Sequence, residues 1–292
     1  MIELQNLTYS YHRGFVAIDG ITVSVSPGIH LLLGENGAGK TTLLRLMAGL
    51  LIPKEGKCLI DGADMTSRQP SALKQVFMLP DTMEIPTKDI RSFAEVHSRF
   101  YPTFSQENFE ENLREFSLTG KENFNQLSLG LRHKTLIAYV TALGVDTLLL
   151  DEPANGLDIT SKKALRHILA RCTAPEQTVV ISTHTVSDLR ELYDGVLVLS
   201  QGKLILARPS WEIAERISCI ASPIPPYDAI FMEQGAGLFH SIVINETGDP
   251  SDLNYALLYS ALMSDSRDRL LEIINATQTP DQSEGHDATN QI

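Results

Sequence analysis

Residues Gly34-Glu35-Asn36-Gly37-Ala38-Gly39-Lys40-Thr41-Thr42 constrain this chain more than any other stretch. They fit the phosphate-binding pattern G-x-x-x-x-G-K-[ST], with Gly34 first and Gly39-Lys40-Thr41 closing it. The run before them, Ile29–Leu33, is short and apolar, as a buried strand should be. The run after them, Leu43 to Ala48, spaces its apolar residues as a helix does. Strand, glycine-rich turn and helix form the context in which backbone N–H groups and a helix N-terminus converge on a phosphate. Lys40 would then reach the β- and γ-phosphates, and the Thr41 hydroxyl would hold Mg²⁺.

Composition narrows the setting. The 292 residues are 43% apolar and 21% charged, enough for one large domain and a small one. No apolar run approaches the ~18–20 residues of a membrane span, and the N-terminus does not read as a signal peptide. Cys58, Cys172 and Cys219 lack metal-site spacing, so a reduced, cytosolic protein is expected. A net charge of −12 argues against a nucleic-acid surface, which would be basic.

Residues 2–9 and 19–25 alternate like half-exposed strands around a turn at His12-Arg13-Gly14, with Tyr11 at the end of the first. Residues 57–60 and 75–79 read as further strands, the second ending in Pro80-Asp81. Residues 88–115 are helical in pattern, broken by Pro102. Leu127-Ser128-Leu129-Gly130-Leu131 opens a helix running to about Leu143, with Ser128 as a suitable N-cap. Thr147–Leu150 is a fully apolar strand stopped by Asp151 and Glu152, and adjacent acids at such a strand end suit Mg²⁺ chemistry. Asn155-Gly156-Leu157-Asp158 turns into another helix. The strand 178–182 ends in Thr183-His184, and residues 196–199 and 204–206 form a closing hairpin around Gln201-Gly202. Taken singly, Tyr11 reads as a strand aromatic, Ser128 as a cap and His184 as a structural histidine.

Together these elements, in this order and spacing, resemble the ATP-binding subunit of an ABC transporter over about residues 1–207. The resemblance implies an α/β fold: a P-loop NTPase core with an antiparallel β-layer and a helical signature subdomain at about 82–143. It also implies the roles of the residues. Tyr11 would stack on adenine with Val16 beside it, and Asn36, Gly37, Ala38, Gly39, Lys40, Thr41 and Thr42 would wrap the phosphates. Thr41, Asp151 and Asp81 would serve Mg²⁺, Glu152 would polarise the attacking water, and His184 would hold the γ-phosphate and that water. Ser128 and Gly130 would reach the nucleotide of a second ATP-binding subunit, a homodimer partner, and Asp158 would couple the two halves.

Several positions depart from the family pattern. Asp81 stands where the family has glutamine, Leu129 and Leu131 alter the usual LSGGQ signature, and Ala154 replaces a threonine. The LSLG form and Tyr101-Pro102-Thr103-Phe104 lean toward exporter-type bacterial subunits. The implied protein is a Mg²⁺-dependent ATPase on the inner face of the membrane, driving a separate transmembrane permease. Residues 82–127 would carry the permease-facing surface, with Lys88 and Arg91 among its charges. Alternatives are a soluble ABC-type ATPase acting without transport, and a regulatory paralogue that turns nucleotide over poorly. No guanine-reading NKxD-type element is visible, nor is the kinase motif set.

Residues 208–276 read as a small α+β appendage, with Pro223, Pro225 and Pro226 as a stiff linker. Residues 229–232 and 238–244 could pair as a hairpin, and 251–263 form a helix. From residue 277 the composition is polar and reads as a disordered tail.

Overall fold

A computed structural model describes residues 1–12, 14–184 and 192–276. The expected turn residue Arg13 and the tail 277–292 lie outside the described residues. The chain begins with two paired strands, β1 (Ile2–His12) and β2 (Phe15–Val25), longer than the alternation alone suggests because pairing continues through several register shifts to His12↔Phe15. Next come β3 (Gly28–Leu33), α1 (Lys40–Met47), β4 (Glu55–Ile60), β5 (Ala63–Asp64), α2 (Pro70–Leu73) and β6 (Val76–Leu79). The helical subdomain holds α3 (Ile90–His97), α4 (Gln106–Glu115) and α5 (Leu129–Val140). β7 (Thr147–Asp151), α6 (Ile159–Cys172), β8 (Thr178–Thr183), β9 (Gly195–Ser200) and β10 (Lys203–Pro209) follow.

Two sheets result. One is a four-stranded antiparallel layer in the order β2-β1-β4-β5. The other is a six-stranded sheet in the order β10-β9-β3-β8-β7-β6, parallel except for its edge strand β10. Its central strands are apolar on both faces, and their period of two sorts them between two cores. Leu32, Leu149, Val180 and Leu197 pack with α1 against the antiparallel layer, while Leu31, Leu33, Leu148, Leu150, Val179 and Ile181 pack on the helical side. Parallel strands end at one edge, so the loops after β3, β6, β7 and β8 gather there.

In the helical subdomain, the Arg91 guanidinium forks onto both carboxylate oxygens of Glu110 and donates to the Thr119 carbonyl. Arg91 therefore ties α3 to α4 and is not a free surface charge: reversing it would break the subdomain's own packing. No helix of the described residues is long and apolar enough to cross a membrane.

The C-terminal region is α7 (Ser210–Ala214), β11 (Ile217–Ser222), β12 (Phe231–Gly235), β13 (Leu238–Ile244), α8 (Tyr255–Leu262) and α9 (Arg267–Asn275), with sheet order β11-β13-β12. The β12–β13 hairpin forms as expected. Pro223, Pro225 and Pro226 do not separate this region from the rest: they lie in the connection from β11 to β12, inside it. Ile213, Ile217, Ile242, Leu258 and Leu262 join the same apolar core as Leu31 and Val196. The Tyr255 ring meets Tyr193 edge-on at 5.5 Å, and its hydroxyl donates to Ser210 Oγ at 2.8 Å.

Candidate active site

The cleft at the C-terminal edge of the parallel sheet is lined by Glu35, Asn36, Gly37, Gly39, Lys40, Thr41 and Thr42, with Tyr11, Phe15 and Ala17 on one side and Asp81, Asp151 and Glu152 on the other, enclosing about 370 Å³. The loop before α1 is shaped by contact as well as by composition. Gly39 has φ +109°, and a Cβ there would lie 2.6 Å from the Ala17 carbonyl oxygen, so only glycine fits. Ala38 is buried and absent from the lining; its carbonyl accepts from Gly202 N at 3.0 Å, which seats the loop on the β9–β10 turn.

Lys40 is 7% exposed. Its ammonium donates to the carbonyls of Gly34 at 2.6 Å and Glu35 at 3.3 Å. Burial pulls it below the usual lysine range, and the Glu152 and Asp151 carboxylates oppose that shift. Thr41 Oγ1 donates to Asp151 Oδ2 at 2.8 Å, while Ser182 Oγ from β8 holds the other carboxylate oxygen. A hydroxyl and a carboxylate from segments 110 residues apart thus face each other across the cleft.

Glu152 sits at φ +51°, a left-handed conformation that costs a non-glycine residue on the order of 1 kcal/mol or more. Its own N–H donates to the Ser182 carbonyl at 3.0 Å, and this contact turns the side chain out of the strand. There the Glu152 carboxylate accepts from the His184 backbone N–H at 3.3 Å and meets His184 Nδ1 at 2.9 Å. The alternation of β7 by itself would not place it so.

Asp81 lines the cleft and accepts from Asn155 Nδ2 at 3.2 Å. Its position is therefore built rather than incidental. Tyr11 donates or accepts at Thr42 Oγ1, 3.1 Å away, and packs edge-on against Tyr9. Val16 departs from expectation: Phe15 and Ala17 line the cleft and Val16 does not, because adjacent strand residues face opposite ways. Phe15 is half exposed and pairs with His12 through stacked rings. Counting alternation from Ala17 would have identified it.

Ser128 and Gly130 do not line this cleft. Ser128 caps α5, its hydroxyl accepting from Leu131 N at 3.4 Å. Leu129 is half exposed, whereas Leu131 packs against the core and leaves no polar side chain there. Asp158 caps α6 through Ser161, whose N–H holds its carboxyl down at about 2.

A family model described as "ABC transporter" matches residues 18–155. The energy-coupling factor transporter ATP-binding protein EcfA of Methanothermobacter thermautotrophicus is 33% identical over 224 residues, covering 73% of this chain and 72% of the relative. This chain belongs to the ABC transporter ATP-binding proteins. NatA of Bacillus subtilis, also an ABC transporter ATP-binding protein, is 31% identical over 198 residues, with 65% of this chain and 80% of NatA covered.

Solved structures carry the same fold. The ATP-binding subunit of an ABC transporter superposes with a TM-score of 0.66 at 23% identity, covering 73% of this chain and 91% of that one. A dimeric ATP-binding cassette in a post-hydrolysis state with ADP and Pi gives 0.62 at 22% identity, covering 72% and 98%. As a member of this family the chain is an ATP-binding subunit of an ABC transporter.

Tyr259 of α8 brings its hydroxyl up to Glu35 of the phosphate loop; burial pushes that hydroxyl's pKa up, and the Glu35 carboxylate adds to the shift. The C-terminal region thus reaches Glu35 of the loop at 34–42, a contact nothing in the local sequence signals.

Proposed function

We propose that this ABC subunit hydrolyses Mg-ATP in a site completed by a second copy, and that it drives a separate transmembrane permease as an exporter from the inner face of the membrane. The observation that carries the reading is the Thr41–Asp151 contact at 2.8 Å beside Lys40 and Glu152. It sets two hard oxygen donors next to the cradle for the phosphates, as Mg²⁺ needs.

Charge supports the metal. The lining holds four carboxylates, Glu35, Asp81, Asp151 and Glu152, against the single ammonium of Lys40 among the described residues. A polyanionic nucleotide entering such a lining needs a further cation. The described residues form no cluster of three or more acidic, His or Cys ligands that could hold a metal. Thr41 and Asp151 would hold such an ion together with the nucleotide's own oxygens. Bound there, Mg²⁺ would neutralise charge on the phosphates.

The chain's own groups do the rest. Backbone N–H groups from Asn36 to Thr42 wrap the phosphates, with Lys40 swinging from the Gly34 and Glu35 carbonyls onto them. Phe15 and Tyr11 frame the base. Glu152 accepts the proton of the attacking water, and His184, already on its carboxylate, orients that acid and the γ-phosphate. Asp81 stands at the Mg²⁺ side and, unlike glutamine, can accept but not donate a hydrogen bond. Ser128 and Gly130, absent from this chain's cleft, serve the partner's nucleotide, and Asp158 lies at the coupling surface. Residues 1–207 form the ATPase domain and 208–276 an accessory domain.

The similarity to EcfA favours a second reading, an energy-coupling role in uptake. Co-purification of an integral membrane protein with the tagged chain, followed by transport in inside-out vesicles, tests both. Export requires ATP-driven substrate accumulation inside those vesicles. A chain that hydrolyses Mg-ATP but captures no membrane protein from detergent extracts refutes the permease assignment.

Two substitutions test the site. Phe15→Ala should weaken ATP binding by about five- to thirty-fold, the scale of a lost base–aromatic stack of about 1–2 kcal/mol, with Tm within a few degrees of the parent. Calorimetric titration with Mg-ATP measures it; Val16→Ala should leave affinity unchanged. Asp81→Gln should alter kcat at least several-fold and shift the Mg²⁺ dependence of turnover. Identical Mg²⁺ titrations of the two proteins would remove Asp81 from the reaction.

A further inference from the structure

His133 lies in the second turn of α5 and is 6% exposed. Its two ring nitrogens meet two backbone carbonyls from different loops: Nδ1 lies 2.8 Å from the Asn155 oxygen, and Nε2 lies 2.7 Å from the Asp81 oxygen. Carbonyl oxygens only accept, so His133 is the donor wherever a ring N–H meets either of them. The two carbonyls belong to the loops that follow the neighbouring parallel strands β6 and β7. One loop carries Asp81 and the other leads from Glu152 to Asp158.

The same end of α5 is pressed onto the second loop at two further points. A Cβ on Gly130 would lie 2.5 Å from the Gly156 carbonyl oxygen, and Lys134 pairs with Asp158 at 3.3 Å. Between the two loops, Asn155 Nδ2 donates to Asp81 Oδ1. His133 thus touches all three segments, the signature helix it belongs to, the Asp81 loop and the turn 155–158, and closes a triangle with Asp81 and Asn155.

We infer that His133 is a positioning residue that makes the Asp81 loop, the 155–158 turn and the signature helix move as one body. Its consequence is mechanical. In the proposed site Asp81 and Glu152 face this chain's own nucleotide, whereas Ser128 and Gly130 face the partner's, so a displacement of the signature on dimer closure reaches the Asp81 loop through this imidazole, alongside the Gly130 and Lys134 contacts to the second loop. The inference rests on the proposed ATPase reading for its kinetic part only.

The test compares the full chain with His133→Phe, which keeps a ring and loses both ring nitrogens, and His133→Gln, whose amide nitrogen still offers two N–H donors. In His133→Phe, kcat should fall at least tenfold while KM for Mg-ATP stays within twofold. Backbone hydrogen exchange in the absence of nucleotide should rise at least fivefold in segments 76–86 and 152–160 together. His133→Gln should recover at least a third of parental kcat. Combining His133→Phe with Asp81→Ala should give a protein no slower than the slower single variant. Should the phenylalanine chain not fold, His133→Asn, whose shorter amide spans one carbonyl at most, takes its place with the same expected readings. Parental turnover in His133→Phe, a KM effect matching the kcat effect, faster exchange in only one segment, glutamine no better than phenylalanine, or additive losses with Asp81→Ala would each overturn the inference. If the parent itself does not hydrolyse Mg-ATP, the reading of the site fails, and the exchange measurement still decides His133.

Discussion

Glu152→Gln is expected to convert the chain into an ATP-bound dimer that hardly turns over. Glutamine keeps the size of the side chain and an oxygen acceptor for the His184 backbone N–H, 3.3 Å away in the parent. It cannot take the proton of the attacking water, and loss of a positioned base costs about 10²–10⁴-fold in rate. Binding should survive, because Lys40, Thr41 and Asp151 are untouched. One carboxylate fewer in a cleft already lined by four should also ease closure of two such surfaces over their nucleotides. Light scattering after size exclusion, with and without Mg-ATP, should show the variant at twice its monomer mass and the parent far less so. Parental hydrolysis in the variant would remove Glu152 as the base. A saturated but monomeric variant would show that the second subunit is a different chain.

Lys40→Ala should abolish tight ATP binding. The ammonium is the one cation among the described lining residues, and it lies within hydrogen-bond reach of the loop's own carbonyls. Charge-assisted hydrogen bonds contribute about 1.5–3 kcal/mol, so Kd for Mg-ATP should rise roughly ten- to 150-fold. The substitution also leaves the Gly34 carbonyl without its donor, and Tm measured alongside separates that cost from the loss of affinity. Equal Kd values for parent and variant would mean that the loop at 34–42 does not hold the phosphates.

What could be read from the residues alone follows the reach of the backbone. The glycine-rich loop at 34–42 and its flanking strand and helix were legible because their conformation is local. Glycines, a lysine and a threonine within nine positions specify a turn whatever packs around it, and the flanking strand and helix announce themselves by period. The strand ends at Asp151 and His184 were legible for the same reason, since an apolar run halted by polar residues marks the edge of a buried parallel sheet. Side-chain direction at the cleft was less so. Val16 was expected beside the base, yet the register His12↔Phe15 and the alternation of β2 put Phe15 and Ala17, not Val16, on the cleft lining.

Arg91 shows the same limit from another side. As a letter it is a surface charge; its partner Glu110 lies 19 residues away on the next helix, and only the packing of α3 beside α4 makes it structural. The prolines at 223–226 have the composition of a linker, and only the pairing of β11 with β13 shows them to be a loop within one sheet.

By itself the sequence determined the phosphate loop, the order of strands and helices, the acids that close β7 and the family to which they belong. The tertiary structure decided which of these residues meet. It set Glu152 in a left-handed backbone against Ser182, joined Asp81 to Asn155 and both loops to His133, and laid Tyr259 of the C-terminal region against Glu35. The physical reason is that a motif constrains backbone over a few residues, whereas a hydrogen bond between positions 52 or 74 apart exists only after strands pair and helices pack.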